Sequence, residues 1–203
     1  MRNAKVSSGL HIVGDELWER IGNSMERVDK RLKKVVAILE GSGIPYAIVG
    51  GNAVRVWVAQ VDPGAVRATN DVDVLLRHED LEPAKIAMAA HGFRYRRTAD
   101  VDMFVEDEND SVRDAVHIVL ANQRVRPHDH EPNPDVEPTE LGTEIRTLPL
   151  ERLVRMKLNS YRLKDRVHLL DMIQVGLVDR AWVARFPEVL GSRLADLIDN
   201  PEQ

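Results

Sequence analysis

The sequence predicts an α+β or α/β core that carries a small helical lobe. Three observations predict it: short apolar runs of strand type alternate with helix-period segments up to residue 121, a proline-rich break follows, and almost everything beyond has helical period. The chain of 203 residues is 43% apolar and 30% charged, inside the range of folded proteins and outside that of disordered ones.

Residues 1–23 show no clear period, although Leu10, Ile12, Leu17, Trp18 and Ile21 suggest a short apolar piece, and they read as an N-terminal extension. From Ser24, a cap by type, the apolar positions Met25, Val28, Leu32, Val35, Val36 and Leu39 follow the spacing of a helix with one buried face. Gly41 and Gly43 end it. Tyr46 to Val49 reads as a short buried strand, broken by Gly50-Gly51 and followed by a helix over Asn52 to Gln60. A second strand is predicted over Asp71 to Leu76, then a helix from Asp80 to His91 closed by Gly92. Strand candidates follow at Phe93 to Arg97, Val101 to Glu106 and Ala115 to Ala121, the last two joined by a polar turn.

Four of the ten prolines lie between Pro127 and Pro138, so 122–143 reads as a proline-rich loop between a core of 24–121 and a mainly helical lobe of 144–203. In the lobe, a short strand candidate at Glu144 to Thr147 precedes a helix with Pro149 in its first turn and Leu150, Leu153, Val154, Leu158 and Tyr161 on one face. A second helix is expected from about Asp165 to Val175, and a last one from Glu188 to Ile198.

Composition removes several function classes. With no cysteine there is no disulfide, thiolate nucleophile or cysteine-held metal, so any metal must sit on oxygen or imidazole. A net charge of -5 denies the chain the global basic field of a dedicated nucleic-acid binder, although Arg94, Arg96 and Arg97 form a local basic stretch. No long uncharged apolar run and no apolar leader are present, so the expectation is a soluble, cytoplasmic protein without membrane contact.

Two short motifs carry chemistry. In Asp71-Val72-Asp73 the carboxylates are two residues apart, so on a strand both point to one face. Two parallel carboxylates repel unless a cation lies between them, and hard oxygen ligands suit Mg²⁺. Alone, the pair reads as an exposed strand face near a turn. Gly50-Gly51, between an apolar strand and a helix, would let backbone amides approach phosphate oxygens at a helix start that favours negative charge. A lone Gly-Gly is otherwise a tight turn, and the argument rests on the joint occurrence of the two motifs.

Ile48-Val49-Gly50-Gly51-Asn52-Ala53, followed by Arg67-Ala68-Thr69-Asn70-Asp71-Val72-Asp73-Val74-Leu75, resembles the nucleotidyltransferase superfamily, in particular its AbiEii-like and uncharacterised bacterial branch. The 19 residues between Gly51 and Asp71 agree with that branch. The run Lys157 to Arg166 resembles its helical lobe, and the resemblance extends over roughly residues 25 to 175. It implies an α+β fold, a nucleotidyltransferase-type mixed sheet flanked by helices, and transfer of a nucleoside monophosphate from a triphosphate such as ATP to a hydroxyl. Asp71 and Asp73 would hold Mg²⁺ or Mn²⁺. Gly50, Gly51, Asn52, Arg67, Thr69, Lys157, Lys164 and Asp165 would meet the nucleotide, with Lys157 and Lys164 seven apart and hence two turns along one helical face. The branch further implies a tRNA, protein or small-molecule acceptor and a toxin with a partner antitoxin.

Active members usually supply a third carboxylate from a neighbouring strand. His117 occupies that position here, in Asp114-Ala115-Val116-His117-Ile118-Val119. An imidazole would take a proton from an attacking hydroxyl yet bind Mg²⁺ less well than a carboxylate. Three readings stay open: a site modified by His117, a carboxylate supplied by Asp114 or Asp102, and a nucleotide-binding site with weak or no catalysis. His128-Asp129-His130 reads as a solvated loop, Asp165 as a nucleotide contact or a helix cap, and His168 with Asp171 as an ordinary surface pair.

Overall fold

The computed structural model describes residues 15–98, 101–106, 114–127, 129–137 and 145–202. Its elements run α1 (Asp15–Gly41), β1 (Ala47–Val49), α2 (Gly50–Ala59), β2 (Val72–Leu76), α3 (Leu81–Ala90), β3 (Arg94–Thr98), β4 (Val101–Val105), β5 (Val116–Leu120), α4 (Leu150–Ser160), α5 (Leu163–Gln174) and α6 (Glu188–Asp199). The strands form one mixed sheet in the order β1-β2-β5-β4-β3, with β2 and β5 parallel and the other pairs antiparallel.

The two faces of the sheet bury different partners, because side chains alternate along each strand. Val72, Val74 and Leu76 of β2 join Val116 and Ile118 of β5 in a core closed by α1 and α3. That core takes Val28, Leu32, Val35, Val36 and Leu39 from α1, the stripe its spacing predicts. Ala47, Val49 and Leu75 point the other way, into a second core shared with α2 and with Leu153, Leu158, Leu169, Met172, Leu190 and Leu194 of α4, α5 and α6. The helical lobe thus packs directly on the face of the sheet that carries Asp73. Truncating any of these fully buried leucines to alanine is expected to cost about 2–5 kcal/mol.

Four expectations need correction. Ser24 does not cap α1; the helix begins by Asp15, so the apolar spacing of Trp18 and Met25 continues the stripe of Val28 and Leu32 on a part of the helix that does not reach the core. Glu144 lies outside the described residues, and the expected strand is only a single parallel bridge of Thr147 to Ile48, held by Ile48 N–H to the Arg146 carbonyl and Leu148 N–H to the Ile48 carbonyl. α5 starts at Leu163, two residues before Asp165. A six-residue 3-10 helix at Arg180–Arg185, before α6, was not expected.

The described part of the proline-rich segment has no regular secondary structure but is pinned at both sides. The Asn133 side chain donates to the Leu120 carbonyl at 3.0 Å, and the Asn159 side-chain oxygen accepts from the His130 and Glu131 amides. Val136 is buried in the second core. Among the described residues no helix is long and apolar enough to cross a membrane.

Candidate active site

β1 ends at Val49, and Gly50 turns the chain into α2 with a φ of +68°. That conformation favours glycine, and space requires it as well: a Cβ on Gly50 would stand 1.8 Å from Asp73 Oδ2. The antiparallel register opposes Val49 and Asp73, which is what brings the carboxylate against the turn. Gly51 makes a similar approach to Thr69, where an added Cβ would lie 2.6 Å from Oγ1. The Gly-Gly turn and the Asp71–Asp73 segment are therefore two sides of one tightly fitted cradle at the N-terminus of α2.

Asp71, just ahead of β2, and Asp73 share the face of Leu75. Asn52 is buried, and its amide donates to the Asp71 carbonyl at 2.7 Å while its oxygen accepts from Arg55. It acts on the site through the backbone of Asp71. The Asp71 Oδ2 atom lies 3.3 Å from the Lys164 ammonium. His117 stands directly across the parallel ladder from Asp73, with Nδ1 3.5 Å from Oδ1. Burial pushes the Asp73 carboxyl up, but the contact and charge of His117, then the charges of Lys164 and Lys157, outweigh it and hold the carboxyl below its ordinary value. Asp73 is ionised at neutral pH.

Asp102 faces the opposite side of the sheet. It pairs with Ile118 across β4 and β5, whereas Met103 pairs with His117, and its carboxylate accepts from the Tyr95 hydroxyl. The strand alternation that aligns Asp73 with His117 excludes Asp102 from the site. Asp114 is exposed, ahead of β5. Among the described residues no group of three or more His, Asp or Glu side chains is arranged to hold a metal. The Asp71–Asp73 pair still suits Mg²⁺: it offers hard oxygens beside an ammonium, and Mg²⁺ is commonly held by one or two carboxylates plus substrate phosphates.

Lys157 and Lys164 do not lie along one helix. α4 ends at Ser160, Tyr161 takes a left-handed φ of 46°, and α5 begins at Leu163. Lys157 is buried, with its ammonium 3.0 Å from Asp165 Oδ1; the two side chains are 6% and 1% exposed. Asp165 Oδ2 also accepts from the Ser160 hydroxyl and the Arg162 guanidinium. Burial raises the Asp165 carboxyl, but Lys157, Arg162 and Ser160 more than offset it, and its pKa is strongly lowered. Asp165 sits at the third position of α5 in a capping box with Arg162, so it fixes the corner between α4 and α5.

His168 and Asp171 are not a surface pair. Asp171 is buried and accepts from the Arg67 guanidinium at 2.8 and 2.9 Å. His168 faces a small cleft lined by Gly51, Arg67, Thr69 and Asp171, and its buried Nδ1 has no hydrogen-bond partner. Burial, then Lys157, push its pKa down to about 4, so the ring is neutral at pH 7. The available signal was spacing: His168 and Asp171 lie four and seven residues after Lys164 on the same helix face. His128 lies outside the described residues; Asp129 is buried and accepts from the Arg126 amide, a turn contact rather than a metal site.

No protein family matches the sequence. No curated protein matches it either. Solved structures do resemble the fold. The solution structure of the antibiotic-resistance factor ANT(2'')-Ia is similar with a TM-score of 0.50 and 12% identity, over 89% of this chain and 94% of that one. An antigenic nucleotidyltransferase-like protein from Paracoccidioides brasiliensis is similar with a TM-score of 0.50 and 15% identity, over 87% of this chain and 90% of that one. The chain has the nucleotidyltransferase fold.

Proposed function

We propose that this chain is a nucleotidyltransferase. An acceptor hydroxyl oxygen bonds to the α-phosphorus of a nucleoside triphosphate, the bond from that phosphorus to the bridging oxygen breaks, and pyrophosphate leaves. One observation carries the reading: the Asp73 carboxylate is fitted against Gly50 so closely that no other residue type leaves room, which joins a cation-demanding pair to a helix start suited to phosphate. A divalent cation on Asp71 and Asp73, Mg²⁺ or Mn²⁺, would neutralise phosphate charge and align the displacement.

The remaining residues divide the work. Gly50, Gly51 and Thr69 form the phosphate side of the cradle, and Lys164, at the start of α5, supplies positive charge from the lobe. Lys157 acts from behind, through Asp165 and the field it adds at Asp73. In its neutral form His117 takes the proton of the attacking hydroxyl, and Asp73 beside it stabilises the imidazolium that results. Arg67 stiffens the cleft through Asp171.

The acceptor is the hydroxyl of an RNA, a protein or a small molecule. The antibiotic-resistance role of ANT(2'')-Ia makes a small-molecule hydroxyl the first to try, and the AbiEii-like motif makes tRNA and a toxin role the second. A distinct reading, a nucleotide-binding regulatory protein, is favoured by one observation: an imidazole stands beside Asp73 where a third carboxylate is usual. Incubation with Mg²⁺ and each α-labelled triphosphate, with small-molecule hydroxyls, tRNA and cell protein as acceptors, separates the two. Label transferred by the wild type and lost at least about 100-fold in Asp73→Asn supports the enzyme. Mg²⁺-dependent binding without transfer in any arm supports the regulatory reading.

A further inference from the structure

The two lysines that face the carboxylate pair are held in opposite ways. Lys157 has a buried counter-ion of its own in Asp165 at 3.0 Å. Lys164 reaches across from α5 to Asp71 at 3.3 Å with its side chain 51% exposed, so its charge is answered by the same carboxylate that would ligate a metal. The start of α5 beneath it is held by Asp165, which accepts from Ser160 and Arg162. His168, one turn further along, is neutral at pH 7 and does not compete for the carboxylates.

We propose that Lys164 makes metal and nucleotide bind as one unit. A bare divalent cation approaching Asp71 must displace the ammonium and then remain near it, and both steps disfavour binding. A cation that arrives with a triphosphate brings the negative charge to which Lys164 can transfer, so the displacement is compensated. Lys164 is thus a competitor of free metal and a partner of metal-bound triphosphate. This inference rests on the reading of Asp71 and Asp73 as the metal and triphosphate site.

The test is a pair of titrations on the full chain: Mn²⁺ alone, followed through the signal of free Mn²⁺, and Mn²⁺ with a triphosphate whose α,β-bridge is methylene and cannot be cleaved. The expected result is a change of opposite sign. Lys164→Gln binds Mn²⁺ alone about 3- to 10-fold more tightly, and binds the Mn²⁺–triphosphate complex about 10-fold or more weakly. Lys164→Arg keeps the wild-type pattern in both. In an Asp71→Asn background, Lys164→Gln no longer changes the response to Mn²⁺ alone. Unchanged Mn²⁺ affinity in Lys164→Gln, or two shifts of the same sign, overturns the proposal while leaving the site reading intact. Absence of Mn²⁺ and triphosphate binding in the folded wild type overturns both.

Discussion

The two sides of the site are built by different physics. On the sheet side, Gly50, Asp71, Asp73 and His117 are set by backbone geometry: a left-handed turn, a strand alternation and a ladder register. On the lobe side, Lys157 and Asp165 are set, with Ser160 and Arg162, by a largely buried network of side chains around a helix corner. The first kind of order is carried by the backbone of the sheet. The second kind is cooperative, so removing one member strands the others. Substitutions on the sheet side should abolish function at small cost in stability, and substitutions in the Lys157–Asp165 network should cost mainly stability.

The largest stability effect is expected at Asp165. Asp165→Ala leaves the Lys157 ammonium buried and unpaired, and urea unfolding should show a loss of about 3–5 kcal/mol. Replacing both together, Lys157→Met with Asp165→Leu, should recover much of that loss. Because the folded Asp165 and Asp73 carboxyls sit below their ordinary values, the stability they add is present above about pH 4 and is lost as the pH falls further.

A smaller loss of stability, with a larger loss of function, is expected at Gly50. Gly50→Ala places a side chain at positive φ, costing about 1–2 kcal/mol, and displaces the Asp73 carboxylate. Triphosphate binding should disappear while circular dichroism shows the fold retained. Equal losses of stability at Gly50 and Asp165 would erase the contrast between the two sides.

His168 gives a finer test. Its folded pKa of about 4 lies below the ordinary 6.5, so the unfolded chain takes up a proton between those values that the folded chain refuses. Stability should therefore fall as the pH drops from 6.5 to 4, by on the order of 1–2 kcal/mol once partial exposure of the ring is discounted. His168→Gln should flatten that slope in denaturation curves taken at pH 7 and pH 5. The smallest effect is expected at Arg67, an exposed cation on a buried Asp171; Arg67→Ala should cost about 1 kcal/mol by thermal unfolding.

The same division explains what was legible in the sequence. The shared face of Asp71 and Asp73 follows from a period of two, the turn follows from the residue type that takes positive φ most readily, and the place of His117 was legible only through the family resemblance. The break between α4 and α5 was hidden because neither Gly nor Pro marks it; Tyr161 adopts the left-handed conformation instead, which put Lys157 and Lys164 on one imagined helix. The burial of Asp165, Asp171 and His168 depends on which helices pack over the sheet, and no local pattern encodes that. Asp102 illustrates the limit from the other direction: its strand was legible, but its face depends on the register between β4 and β5.

The central claim is that Asp71 and Asp73, seated against the Gly50 turn, hold a divalent metal and the phosphates of a nucleoside triphosphate. Titration calorimetry with a non-cleavable triphosphate analogue, with and without Mg²⁺, on the wild type and Asp73→Asn tests it most directly. Binding that requires Mg²⁺ and weakens about 10- to 100-fold in Asp73→Asn is the predicted result. Binding that ignores Mg²⁺ and is unchanged in Asp73→Asn, or no binding by the folded wild type, would contradict it.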